Sequence, residues 1–250
     1  MGGGALSSYP DAVQDRGMCG RFAMNKETNE LIEEFVAAGG DWRDWRPGWN
    51  IKPTQEIPIV VESTKTGELV RRLEPARWSL VPSWSKTLKL KFPTFNARSE
   101  GIAEKATWRG PLKSHRCLVP MTGYYEWRTD PDGTKTPHFI HLPGETLAMA
   151  GLYSWWPDPA LPQDDPARWN LTATILTADA VDELIGIHDR NPVPLPRDWW
   201  DDWLNPELEG DQSFVDAAVQ AALPVAQSLE FYEVAPLRGD GPELLEPVRS

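Results

Sequence analysis

Cysteine is scarce in this chain. Its 250 residues hold only Cys19 and Cys117, far apart and without a Cys-x-x-Cys spacing, so neither a disulfide framework nor a zinc site is indicated. That usage fits a reducing cytoplasm. Basic residues are in deficit as well: 25 Lys and Arg against 37 Asp and Glu leave a formal net charge of −12. Such a balance argues against a protein that coats duplex DNA through a broad basic face, because phosphate neutralisation carries most non-specific affinity. Many of the acids fall in 158–165, 201–211 and 240–246, which leaves room for a local basic cleft. The segment Met1 to Gly17 has no apolar core, so it is neither a signal peptide nor a membrane span. It reads as a disordered leader over residues 1–17. No flexible linker and no internal repeat interrupts the remainder, and one domain over 18–250 is expected. Metal, nucleotide and flavin motifs are missing, so the expectation is no metal and no cofactor.

What the chain does have is 13 tryptophans and 24 prolines. Short apolar runs between Pro and Gly read as strands with irregular connections: 57–61, 69–73, 77–81, 117–120, 124–127, 138–141, 146–153 and 171–176. Helical spacing appears at 26–37, where Leu31, Ile32, Phe35 and Val36 share a face and Gly39-Gly40 ends the pattern, and again at 98–105, 180–185 and 213–223. The order is neither alternating β-α nor strands followed by helices. It predicts an α+β single domain built on mostly antiparallel, barrel- or sandwich-like sheet with peripheral helices.

Cys19 follows Met18 in the run Met-Cys-Gly-Arg-Phe-Ala. By itself it reads by default as a small apolar strand residue. If translation starts at Met18, or the leader is removed, Cys19 becomes N-terminal and carries an amine and a thiol on adjacent carbons. An α-amino group titrates near ~7.7–8.0 and lysine near ~10.4, so only the former offers a large fraction of free base at neutral pH. That amine condenses with an aldehyde, and the thiol (~8.5 when free) then closes a five-membered thiazolidine.

Four further runs bear chemistry. In Asn96-Ala97-Arg98-Ser99-Glu100 an amide and a guanidinium precede a predicted helix that Ser99 would cap, an arrangement suited to a phosphate or a sugar hydroxyl. In Gly123-Tyr124-Tyr125-Glu126-Trp127, a Glu126 buried among rings would resist ionisation and serve as a general acid or base. Alternation puts Tyr125 and Trp127 on one face and Tyr124 and Glu126 on the other without saying which is buried. In Ile187-His188-Asp189-Arg190-Asn191-Pro192, His188 suits proton transfer with Asp189 orienting it. In Arg77-Trp78-Ser79-Leu80-Val81-Pro82-Ser83-Trp84, Trp78 reads as core and Trp84 as a base-stacking or wedging ring.

Together with Trp-Asn-Ile-Lys-Pro at 49–53 and Arg-Cys-Leu-Val-Pro at 116–120, these runs in this order resemble the SOS-response-associated peptidase family of abasic-site processing proteins, over nearly the whole chain from Met18. The resemblance implies covalent capture of abasic sites in single-stranded DNA by Cys19 as a thiazolidine, with associated lyase and N-terminal self-processing activity in the DNA damage response. It implies that Asn96 places the sugar and amine, that Glu126 is the acid/base, and that His188 acts on the Schiff base. It further implies that Arg21, Arg98 and Arg190 hold phosphates and that Trp84 meets the DNA. The partner expected is single-stranded DNA with abasic sites, met by a monomer away from any membrane, in the cytoplasm or at a bacterial nucleoid. The mechanism requires release of the amine held in the Met18–Cys19 bond, by a start at Met18 or by proteolysis of the leader. Ser79 replaces a usual glycine, Asn191 a usual methionine or arginine, and 234–241 lacks the usual asparagines. Two other classes fit single features: a cysteine hydrolase using Cys19 with His188 as base, and a non-catalytic DNA-binding module.

Overall fold

The computed structural model describes residues 20–35, 37, 46–65 and 67–248. Its strands are, in chain order, β1 (Phe22–Met24), β2 (Gly48–Ile51), β3 (Glu56–Ser63), β4 (Val70–Trp78), β5 (Asn96–Arg98), β6 (Arg116–Met121), β7 (Gly123–Thr129), β8 (Lys135–His141), β9 (Leu147–Pro157), β10 (Trp169–Asp179), β11 (Arg190–Pro192) and β12 (Glu230–Glu233). The helices are α1 (Thr28–Phe35), α2 (Ala106–Ser114), α3 (Asp182–Ile185), α4 (Trp200–Leu204) and α5 (Gln212–Gln227).

Five strands close on themselves in the order β10-β4-β3-β6-β9 and back to β10, which makes a barrel. Closure leaves the ring without a free edge. Pairing is antiparallel except where β10 lies parallel to β4 and, further along, to β5. Strand β11 continues antiparallel on the other side of β10. A second, wholly antiparallel sheet runs β12-β8-β7-β1-β2. The predicted α+β domain of mostly antiparallel, barrel-like sheet with peripheral helices is what forms.

Burial follows from this layering. Residues 147–154 of β9 and 171–178 of β10 are buried on both faces, the near-continuous apolar pattern of strands covered from two sides. One main core holds Phe22, Trp78, Leu118, Tyr124, Ile175 and Trp203, all fully buried. A smaller cluster of Ala23, Tyr125, Phe139, Val234 and Leu244 lies on the other side of the second sheet. Buried Arg116 pins helices to the barrel. Its five donors all reach main-chain carbonyls, of Leu112 and Lys113 at the end of α2 and of Trp203, Asn205 and Leu208 at α4 and beyond. Burial without a carboxylate lowers its pKa to about 10, so it stays charged, satisfying helix-end carbonyls that otherwise lack partners.

Two local expectations change. The runs 69–73 and 77–81 form a single strand, β4, which passes straight through Pro75. Pro75 lies directly opposite Pro58 of β3, a register that asks neither missing N–H to serve the other strand. The run 98–105 is not an α-helix. Asn96–Arg98 is strand β5, the amide of buried Ser99 donates to Thr177 O at 2.9 Å, and only a 3-10 turn at Ile102–Glu104 follows before α2. Sheet pairing with β10 outweighs local helix spacing there. The predicted glycine stop at 39–40 lies outside the described residues.

Candidate functional site

Cys19 lies outside the described residues, so the site is built from what surrounds the start of β1. Arg21 precedes that strand, and its carbonyl accepts the amide of Tyr125 at 2.9 Å. Phe22 then pairs with Tyr124 and Ala23 with Gly123. Position 123 has to be glycine because a Cβ there would meet the Phe139 ring and lie 2.5 Å from Ile140 O. Alternation along β7 sends Tyr125 and Trp127 to the small cluster, while Tyr124 and Glu126 face the main core. Glu126 is 3% exposed, which decides the ambiguity left by the alternation: this carboxyl is buried. Arg21 lies on the Trp127 side, its guanidinium 5.7 Å from that ring and Nη1 3.3 Å from Asn50 Oδ1. Asn50 is held in turn, its Nδ2 donating to Gly239 O at 2.8 Å and its amide to Asp240 Oδ1 at 2.9 Å. The C-terminal segment, without asparagines, thus buttresses β2 through a carboxylate and a carbonyl.

Trp78 carries this end of the molecule to Asn96. Its ring meets Phe22 edge-on at 5.0 Å and Phe95 at 5.8 Å, and its Nε1–H donates to Phe95 O at 2.8 Å. The residue after Cys19's neighbour Gly20 and the half-buried Asn96 are therefore each one position from an end of the same aromatic bridge. Asn96 sits on a strand, not at a helix start, and Arg98 is exposed two residues on.

His188 and Arg190 share the far end of β10 with Asn96 and Arg98, because β5 and β11 both pair with β10. The Arg190 amide donates to His188 Nδ1 at 3.0 Å. Asp189 Oδ1 lies 3.0 Å from that same Nδ1. His188 is half-buried, with both of these contacts on Nδ1. Arg190, expected to hold a phosphate, is engaged within the fold here. Its side chain is 7% exposed, and its terminal nitrogens already bind Glu100 (2.7 and 2.8 Å), Asp179 and Thr177 O. Burial works to lower the Arg190 pKa, but the two carboxylates outweigh it and raise it. Its position ties β11 to β10 and to the turn after Asn96. Buried Asn191 likewise serves the fold, its Oδ1 accepting the Val181 amide at 3.2 Å.

Trp84 stands on a separate element, the loop between β4 and β5, and is 65% exposed. Ser79 and Thr94 close that loop through a hydroxyl pair at 3.0 Å, and Leu80 N donates to Thr94 O at 3.2 Å. The indole N–H of Trp156 anchors it at Ser85 O, 2.8 Å away. Between Glu74 and Glu100 the chain has no acid and five bases, Arg77, Lys86, Lys89, Lys91 and Arg98. Lys86, Lys89, Lys91 and Phe92 are exposed beside Trp84. The lysines were not singled out from sequence, although the acid-free run in an acidic chain was the signal. Among the described residues, no group of three or more His, Cys, Asp or Glu could hold a metal ion, and no helix is long and apolar enough to cross a membrane.

A buried carboxyl paired to the entering strand, an aromatic bridge to a strand-borne asparagine, and a basic, aromatic loop on a closed barrel define the class of protein. Residues 18–238 match the family model described as SOS response associated peptidase (SRAP), and the chain belongs to that family. Among its relatives is the abasic site processing protein YoqW of Bacillus subtilis (strain 168), 34% identical over 235 residues, which cover 92% of this chain and 99% of that one. The abasic site processing protein HMCES of Gallus gallus is 30% identical over 239 residues, covering 82% of this chain and 67% of that one. The fold matches a crystal structure of a protein from Bacteroides thetaiotaomicron with a TM-score of 0.76 at 22% identity, over 92% of this chain and 100% of that chain. A phage-related protein from Bordetella bronchiseptica matches with a TM-score of 0.62 at 26% identity, over 87% and 95% of the two chains.

Proposed function

We propose that this protein processes abasic sites in single-stranded DNA by capturing them covalently through Cys19. Membership of the family and relatives named abasic site processing proteins support the reaction class. The observation that carries the chemistry is the pairing of β1 with β7, which seats buried Glu126 next in sequence to Tyr125, whose amide holds Arg21. Glu126 is the carboxyl assigned to serve the amine of Cys19 in this reading.

In the reaction the free α-amine adds to the aldehyde of the ring-opened abasic sugar and gives a carbinolamine. Glu126 in its acid form protonates the departing hydroxyl, water leaves, and an imine remains. The thiolate then adds to the imine carbon, the nitrogen takes up a proton, and the thiazolidine is closed. One aldehyde and one aminothiol have become one ring and one water. Asn96 orients the sugar, and His188 acts on the Schiff base, the branch point from which a lyase route cleaves the strand. Arg21, Arg98 and Trp84 contact the DNA, joined by Lys86, Lys89 and Lys91. Removal of residues 1–18, by initiation at Met18 or by self-processing, exposes the amine. The protein acts as a monomer in the cytoplasm.

Intact mass of the protein with Cys19 at its N-terminus, before and after incubation with an abasic oligonucleotide, tests this. The expected gain is the oligonucleotide mass less one water, stable to denaturation. Acetylating the Cys19 amine should abolish it. An adduct formed equally well by the acetylated protein would overturn the mechanism and favour thiol-only chemistry.

A further inference from the structure

His138 is a buried imidazole that the reaction just described does not use. It lies directly opposite Glu126 in the β7–β8 pair, where facing Cβ atoms stand ~4.5–5.5 Å apart. It is 3% exposed. Its partners define its state: Nδ1 lies 3.0 Å from Thr136 O, and Nε2 lies 3.3 Å from Arg128 Nη1. A carbonyl only accepts and a guanidinium only donates. Nδ1 therefore donates to Thr136 O, and Nε2 presents its lone pair to Arg128.

Glu126, Arg128 and Asp130 occupy alternate positions of β7 and its end, so they lie on one face. On that face Arg128 Nε donates to Asp130 Oδ1 at 2.8 Å, and Asp130 Oδ2 accepts the Thr136 hydroxyl at 2.6 Å. The guanidinium is thus suspended between Asp130 and His138, one strand step, ~7 Å, from Glu126. The charged neighbours of His138 are Glu126 and Arg128 with Asp130 on β7, Glu233 as its cross-strand partner on β12, and Lys135 three positions earlier on β8. Phe231 packs against its ring at 6.0 Å.

We propose that His138 is a positioning residue for Glu126: by accepting from Arg128 it keeps the guanidinium on Asp130 and so sets how much positive charge the buried carboxyl experiences. The proposal rests on Glu126 acting as the general acid. A guanidinium released toward Glu126 would favour the carboxylate over the acid form, and the imidazole acceptor prevents that.

The test is the pH profile of single-turnover crosslinking to an abasic oligonucleotide, with the protein bearing Cys19 at its N-terminus. H138F removes the acceptor and keeps an aromatic ring. Its basic limb should move down by about one pH unit, slowing the reaction about tenfold above that limb, as expected for an opposite charge brought close to a carboxyl. Adding R128M should abolish the downward shift and bring the limb to the position of R128M alone, and H138Q, whose amide oxygen can accept from Arg128, should resemble wild type. Affinity for intact single-stranded DNA should be unchanged in all three. R128M alone, which needs no change at His138, should move the limb upward and serves if H138F does not fold. An H138F profile that superposes on wild type, or one whose downward shift R128M fails to abolish, would overturn the proposal. E126Q separates the two readings: a normal rate in E126Q sinks the general-acid role itself, whereas a slow E126Q beside an unshifted H138F sinks only the role of His138.

Discussion

Arg190 grips Glu100 with both ends of its guanidinium, Nη1 to Oε1 at 2.7 Å and Nη2 to Oε2 at 2.8 Å. The fork joins β11, which follows His188, to the turn that follows Asn96 and Arg98. Two of the motifs that look independent along the chain are mechanically one piece, and the ion pair is the part that joins them.

Breaking that fork should cost stability in a pH-dependent way. Burial raises the Glu100 pKa, but hydrogen bonds and charge from Arg190, together with a backbone hydrogen bond, outweigh it, and the carboxyl ends below its ordinary value. A folded-state pKa below the unfolded one means stability that is present above ~4.3 and is lost as pH falls through the lower folded value. E100Q should lower stability by about 1–2 kcal/mol at pH 7, less than a fully buried pair because Glu100 is 53% exposed and Asp179 remains on Arg190. Urea unfolding of both proteins should show the gap closing below about pH 4. A gap independent of pH would show that the carboxylate's charge is not what matters.

Glu126→Gln keeps the shape of the side chain and removes the acid. Crosslinking should slow by about 100-fold or more, in the range of general acid catalysis, with binding to intact single strands held within about twofold. Rapid-quench gels and fluorescence anisotropy measure the two quantities, and equal crosslinking rates would exclude Glu126 as the acid.

Trp84 and its loop should matter for DNA and not for folding. Trp84→Ala should weaken single-strand binding by about 1–3 kcal/mol, the usual value of one base stacked on an aromatic ring, with the melting temperature unchanged because the ring is exposed. Replacing Lys86, Lys89 and Lys91 together by Gln should flatten the slope of log affinity against log salt by about 2, at ~0.7 per phosphate contact on a single strand. An unchanged slope would place the phosphates elsewhere.

Cys117 is fully buried, and burial pushes its thiol well above the ordinary value. Only the thiolate is a good nucleophile, so Cys117 should resist iodoacetamide in the native protein and react after unfolding in guanidinium. Peptide mapping distinguishes it from Cys19. Labelling of native Cys117 would mean that the barrel opens at β6 far more readily than its packing suggests.

Much of the architecture was legible along the chain because hydrophobic periodicity is a local property. Strands near β3, β6, β7, β8, β9 and β10 and helices near α1, α3 and α5 were read from spacing alone. The elements that escaped are short or lack periodicity: β1, β2, β11, β12 and α4 owe their form to pairing or packing partners distant in sequence. Helix α2 escaped because Gly110 and Pro111 interrupt its pattern.

By itself the sequence determined the family, the ordered motifs, the aminothiol chemistry open to Cys19 and the acid-free stretch around Trp84, since residue identity sets what chemistry is available. Tertiary structure alone decided which groups are buried and what they face. It turned Glu126 inward, bound Arg190 to Glu100 and Asp179, put Asn96 on a strand, and held Arg128 between Asp130 and His138. The reason is physical: burial and charge environment depend on strands brought together from far along the chain, by a closed barrel and a register that no local window contains.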